Sequence, residues 1–312
     1  MTTACAPGKI ILLGEHAVVY GRPALAVPVR QVRACARVDP AESGSAGGVL
    51  LVSPDLALSS WLADMSGDHP LAAIALATLA ALAAASFPPI QVTISSSIPV
   101  ASGLGSSAAV SVAVARALNE HFGGSLGDDR ISALAFGVET IHHGTPSGID
   151  NTVVAFDRPV FFRRGESPEP LSIGGKFHFL IGDTGITAPT AEAVGKVRRR
   201  WQADPAALET AFDGIAGLVL DARQALVLGD VARLGADLRL NHAMLKGLDV
   251  SSKELDRLVE AADAAGALGA KMSGGGMGGN MIALVAAERR QPVAEALRQA
   301  GAVAVLQTEV GP

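Results

Sequence analysis

The chain has 312 residues and a net charge of −5, a length that holds one large or two ordinary domains around a substantial core. No run of Lys and Arg is longer than Arg198-Arg199-Arg200, so nucleic-acid binding has no electrostatic support and the triplet reads as a solvated helix face. Cys5 and Cys35 form no CxxC and have no His spacing suited to zinc, which excludes a thiolate metal site and sets free thiols in a reducing cytosol, not a disulfide framework, as the expectation.

In chain order, the first half mixes strand-like runs, "KIILLG", "ALAVPV", "QVRACARVD" and "IQVTIS", with helical stretches. Lys9 and Glu15 fall within the first apolar run without a basic segment before it, which argues against a secretory signal. "LAAIALATLAALAAA", Leu71–Ala85, is the one membrane suspect. As a helix it rises roughly 22 Å against a ~30 Å hydrocarbon core, so it reads as a buried helix and the chain as cytoplasmic, with no membrane partner. A second helix follows Ala108, a third covers about 130–142, and "TVVAF" and "VFFRR" read as strands. The Pro/Gly/Ser stretch from Ser167 to Lys176 marks a joint, giving domains 1–175 and 176–312.

Beyond it come the strand "FHFLIGD" and helices starting near Thr190, Asp204-Pro205, Asp230 and Ser251. Asp-Pro supplies an N-cap with its first helical residue, Asp230 follows Gly229, and Ser251-x-x-Glu254 reads as a capping box. Strands "NMIALV" and "AVAVLQT" flank a last helix. Two strand–helix mixtures in series give an α+β, two-domain class.

Three glycine-rich loops carry the chemical signal. Gly103-Leu-Gly105-Ser-Ser-Ala108 satisfies the GxGxxA dinucleotide pattern, but no second strand ends in an acid about 20 residues on; "FGGSLGDDR" stands there instead. Gly274-Gly-Gly276-Met-Gly-Gly279 precedes a strand where a Rossmann turn would precede a helix, and no Walker A sequence occurs. Taken alone, each loop could be an ordinary turn. "PGKIILLGEHAVVYG" adds Lys9, Glu15 and His16, making three loops able to hold an anion or polar substrate. His142-His143 could suggest a metal pair, but adjacent residues point apart and no third ligand is spaced for it.

"PGKIILLGEHAVVYG", "PVASGLGSSAA" and "KMSGGGMGGNMIAL" resemble, in order and spacing, the three motifs of the GHMP kinases. Within that family "GEHAVVYG", "HHGTPSGIDN" and "IGDTGITAPT" are most similar to the mevalonate kinases, especially the shorter bacterial and archaeal type. The resemblance implies an N-terminal domain with a left-handed βαβ unit and a C-terminal ferredoxin-like domain. It implies that Gly103, Leu104, Gly105, Ser106, Ser107 and Ala108 wrap the ATP phosphates, with Ser96 beside the nucleotide. It places Mg²⁺ on Ser107 and Glu139, catalysis on Asp150 and Lys9, and substrate contacts on Glu15, His16, His142, Thr184 and Gly276. The implied reaction phosphorylates the C5 hydroxyl of mevalonate, with phosphomevalonate, a sugar or an amino alcohol as alternative substrates and a homodimer as the family default. Gly275, Met277 and Asn280 depart from the family's usual third loop, and His142 stands where an aliphatic residue often lines the pocket.

Overall fold

The structure is a computed structural model that describes residues 1–42, 48–84, 86–99, 103–143, 146–187 and 190–311; the side chains at 142, 143 and 190 are outside the described set. Two compact units emerge, and they differ from a single division at 175. The first comprises Met1–Gly8, Val32–Pro99 and Gly105–Asp157; the second comprises Lys9–Gln31, a short segment ending at Leu104, and Arg158–Pro312. The motif carrying Lys9, Glu15 and His16 therefore belongs with the C-terminal half of the chain.

The first unit takes the start of β1 (Thr2–Leu13) and the end of β2 (Ala24–Pro40), then β3 (Val49–Ser53), β4 (Leu58–Trp61), α1 (Pro70–Ala81), β5 (Ile90–Ser96), α2 (Ser106–His121), α3 (Asp128–His143) and α4 (Ile149–Phe156). Alternation of Ile90, Val92 and Ile94 with less buried residues turns one face of β5 to the core. β5 pairs antiparallel with β2, from Ala34 opposite Ser96 to Pro40 opposite Ile90, and parallel with β3, from Val49 opposite Ile90. α1 lies between the two parallel strands in sequence, as a βαβ unit requires. It is a buried helix capped by His69, and among the described residues no helix is long and apolar enough to cross a membrane.

Several local expectations change. β2 is one continuous strand where the sequence suggested two; Pro28 falls between the segment paired with β6 (Val160–Phe162) and the segment paired with β5. "TVVAF" is helical, the body of α4, because its β-branched residues are buried nearly all round against α2 and α3, and tertiary burial overrides strand propensity. Cys5 and Cys35 are disulfide-bonded, contrary to the expectation of free thiols. β1 pairs with β2 and brings the two residues to a Cα–Cα distance of 4.1 Å, a proximity that a separation of 30 residues conceals.

In the second unit, after β6 and the two-residue β7 (Glu169–Pro170), come β8 (Phe177–Asp183), α5 (Thr190–Ala203), α6 (Pro205–Leu228), α7 (Val231–Gly247), α8 (Lys253–Ala264), β9 (Gly269–Ser273), β10 (Asn280–Val285), α9 (Arg290–Gln299) and β11 (Ala304–Val310). The sheet order is β11-β8-β10-β9, all antiparallel. Numbered within this sheet, that is 4-1-3-2 with helices in the first and third connections, the ferredoxin-like arrangement. β10 is buried along its whole length, and α7, α8 and α9 pack on the strands. Asp204 and Asp230 cap α6 and α7 as expected, accepting from the backbone N–H of Ala207 and Arg233. The cap of α8 is Ser252, not Ser251; the Ser251 hydroxyl donates instead to Asp256 at 2.6 Å.

Candidate active site

Lys9 lies inside β1, not at a strand start, with its side chain buried, and its backbone N–H donates to Leu104 O at 2.9 Å. This bond joins the first glycine-rich motif to the second. At the strand's end Gly14 turns the chain, and Glu15 and His16 point back into the unit, both buried. Glu15 Oε1 is ion-paired with Lys271 Nζ, and His16 Nε2 is 2.9 Å from Gly275 O. A carbonyl can only accept, so His16 carries its proton on Nε2 and leaves Nδ1 as an acceptor. The Ser273 hydroxyl donates to Ile11 O at 2.9 Å. Three side-chain ties thus hold the first and third motifs together.

The turn after His16 is anchored on α6. The Tyr20 ring stacks on Phe212 at 4.4 Å, and Arg22 reaches Glu209 at 2.5 Å and Asp213 at 2.8 Å. On the third motif, Met277 N–H donates to Val250 O at 2.7 Å, fixing the loop beside Gly276. Thr184 donates to Gly279 O through both its backbone N–H, at 2.9 Å, and its hydroxyl, at 2.8 Å. Thr184 therefore belongs to the same constellation as Gly276.

Of the other expected residues, Gly103 and Leu104 lie in the second unit and the rest in the first. Ser96 ends β5; its N–H donates to Asp55 Oδ2 at 2.9 Å and its hydroxyl accepts from Ile98 N–H at 3.1 Å. Gly103 and Gly105 both have positive φ, and Gly105 is the N-cap of α2 without a side-chain cap. The first-turn N–H groups at Ser106, Ser107 and Ala108 precede the first intrahelical bond, from Ala109 N–H to Gly105 O, and present the positive end of a 16-residue helix. Such an end suits a phosphate. Leu104 and Ala108 are buried, whereas Gly103 and Ser107 are exposed. Glu139 is buried on α3, and Asp150 is half-buried in the first turn of α4, a helix where the sequence suggested a loop. α2, α3 and α4 pack on one another, so the elements bearing Ser107, Glu139 and Asp150 form one cluster. Asn151 locks α4 to α3 by donating to the Ser132 hydroxyl and carbonyl at 2.8 and 3.1 Å. The His142 side chain lies outside the described residues.

Sequence reasoning missed Lys271. Its signal was a lone lysine in "GALGAKMS", an otherwise apolar stretch running into the third loop. It is fully buried on β9, and burial holds its ammonium below the usual lysine range, against the opposing pull of Glu15.

Two buried histidines give the fold an acid-sensitive balance. Burial pushes His16 down to about 4, and does the same to His242, which accepts from Met272 N–H and faces Asp256 at 3.3 Å. A depressed histidine contributes stability that is present above its unfolded value near 6.5 and lost as pH falls through the folded value, at up to ~1.4 kcal/mol per pH unit. Burial raises Asp237 to about 6, with Asp221 adding to the rise; its contribution is present below the unfolded carboxylate value and lost as pH rises through 6. Among the strongly shifted groups two histidines oppose one carboxylate, so thermal stability is expected to fall from pH 7 to pH 5, and His242→Gln to flatten that slope. Melting curves at half-unit pH steps check this; a flat wild-type profile would refute it.

Residues 71–157 match the family described as GHMP kinases N terminal domain, and residues 222–303 match GHMP kinases C terminal. The chain is 35% identical to the mevalonate kinase of Pyrococcus horikoshii, over 97% of this chain and 94% of that protein. The chain belongs to the GHMP kinases. This GHMP kinase is also 36% identical to the mevalonate kinase of Thermococcus gammatolerans, over 98% of this chain and 95% of that protein. Among solved structures, L. major mevalonate kinase in complex with R-mevalonate superposes with a TM-score of 0.84 at 28% identity, covering 100% of this chain and 96% of the other. Streptococcus pneumoniae phosphomevalonate kinase reaches the same TM-score of 0.84 at 18% identity, covering 99% of this chain and all of that one. The latter likeness is one of fold alone.

Proposed function

We propose that this GHMP kinase transfers the γ-phosphoryl group of ATP to the C5 hydroxyl of mevalonate, giving 5-phosphomevalonate. The observation that carries the substrate is near full-length likeness to mevalonate kinases at 35–36% identity. Fold likeness does not discriminate, since the phosphomevalonate kinase superposes equally well.

In this reading the first turn of α2, from Gly105 to Ala108, binds the ATP phosphates with Gly103 and Leu104, and Ser96 lies beside the nucleotide. Phosphoryl transfer asks for positioning and neutralisation of spread negative charge more than for covalent help. Lys9 supplies a cation toward the transferring group. Asp150 accepts the proton of the attacking hydroxyl, or orients that hydroxyl for attack. Glu15, neutral His16, Thr184, Gly276 and His142 contact the alcohol. The Ser107 hydroxyl and the buried Glu139 carboxylate, on helices that pack together, are hard oxygen donors that suit Mg²⁺. When bound, Mg²⁺ neutralises phosphate charge.

The test is ADP release against a panel of mevalonate, phosphomevalonate, homoserine and galactose. Mevalonate is expected to be the preferred acceptor, with turnover lost on EDTA and restored by Mg²⁺. A product phosphorylated at C5 has phosphorus joined through oxygen to a CH₂, so its proton-coupled ³¹P signal is a triplet. A singlet would indicate transfer to the tertiary hydroxyl, and turnover confined to phosphomevalonate would move the assignment one step along.

A further inference from the structure

Glu15 and Lys271 are the most deeply buried charged side chains of the candidate site, at 1% and 0% exposure. Taking two charges out of water is costly, and a pair is kept only where its geometry is used or its remaining hydrogen-bonding capacity is met. That capacity is incompletely met here: Oε1 of Glu15 holds Lys271, while Oε2 is buried with no hydrogen-bond partner among the described residues. A carboxylate oxygen in that state can accept a hydrogen bond from a ligand donor.

The surroundings exclude the simpler assignments. Lys271 comes from β9, held between β10 and the helices α7 and α8, so its ammonium approaches Glu15 from the interior. His16 and His242, which both feel the Lys271 charge, are held neutral at pH 7 by burial, and Glu15 is the charge that pulls on Lys271. The ties from His16 to Gly275 and from Ser273 to Ile11 already join the two motifs, so Lys271 is not needed as their only link. What it adds is a fixed direction for the carboxylate.

We infer that Lys271 is a positioning residue for substrate recognition: it grips one oxygen of Glu15 so that the other accepts a hydrogen bond from a hydroxyl of the alcohol substrate. The inference rests on the reading of Glu15 as a substrate contact. It predicts a discriminating role for Lys271 without direct contact between Lys271 and the substrate. The neutral His16, with Nδ1 as an acceptor, complements a hydroxyl in the same way.

The test is a double-mutant cycle read as KM for mevalonate, KM for ATP and kcat, with melting temperature recorded for each variant. Lys271→Met is expected to raise KM for mevalonate by ten- to a hundredfold and leave KM for ATP within twofold. In the Glu15→Gln background, Lys271→Met is expected to change KM for mevalonate by less than threefold, because Lys271 acts through Glu15 alone. If Lys271→Met alone fails to fold, the comparison of Glu15→Gln with the Glu15→Gln/Lys271→Met double variant, which carries neither charge, still decides. A tenfold difference between those two, or equal rises in both KM values, would overturn the inference. If the wild type turns over another alcohol of the panel and not mevalonate, the substrate reading fails and the same cycle is run with that alcohol.

Discussion

Asp150→Asn is expected to lower kcat on mevalonate by at least ~10²-fold, the lower end of what a positioned acid–base group contributes, while KM for ATP stays within about threefold. Asp150 is half-exposed in the first turn of α4, whereas the buried contacts of that helix are made by Ile149, Asn151, Thr152, Val153, Val154 and Ala155. Asn151, held to Ser132 of α3, and Thr152, whose hydroxyl donates to Gly148 O at 2.7 Å, keep the first turn in place. Asparagine preserves size and loses the charge and the capacity to take a proton. A loss of rate with an unchanged melting temperature would therefore report chemistry; wild-type turnover in the folded variant would remove Asp150 from the reaction.

Elements with one dominant local signal were legible in the sequence. "FHFLIGD" and "NMIALV" coincide with β8 and β10, because both are short apolar runs bounded by Gly, Asp or Asn, and the capped starts of α6 and α7 followed from Asp204-Pro205 and Asp230. What failed was decided by distant neighbours. Whether "TVVAF" is strand or helix depends on α2 and α3 covering it, and whether Cys5 meets Cys35 depends on β1 pairing with β2. The short strands β3 and β4 gave no periodic run long enough to notice. Motif residues were found by type and order. Lys271 was not, because a lysine before a glycine-rich loop reads as surface until β9 is seen buried between α7, α8 and β10. The compact units carry a further lesson. The chain passes between them at residues 8–9 and 31–32, after Pro99, and at 104–105 and 157–158, so no single composition shift could mark the division.

Two neighbouring glycines give the sharpest test of the loop that carries Glu15 and His16. Both have positive φ, +103° at Gly14 and +79° at Gly21. Around Gly21 there is nothing within 4 Å of where a Cβ would sit, so Gly21→Ala carries only the left-handed backbone penalty of roughly 1–2 kcal/mol. At Gly14 the added carbon would stand 2.5 Å from the Cα and Cβ of Ala24 and 2.6 Å from Pro23 O. Those atoms cannot retreat: Ala24 is fully buried at the start of β2 and paired with Phe162 of β6. The backbone of Gly14 would have to move instead, carrying Glu15 off Lys271 and His16 off Gly275. Overpacking of this kind costs ~1–3 kcal/mol in addition to the backbone penalty, so Gly14→Ala is expected to lose ~2–5 kcal/mol. Its KM for mevalonate is expected to rise at least tenfold, while Gly21→Ala keeps wild-type kinetics. Urea denaturation and initial rates on the two variants side by side check both parts. Equal losses of stability would show that backbone conformation alone decides; a destabilised Gly14→Ala with unchanged KM would separate the loop's packing from substrate binding.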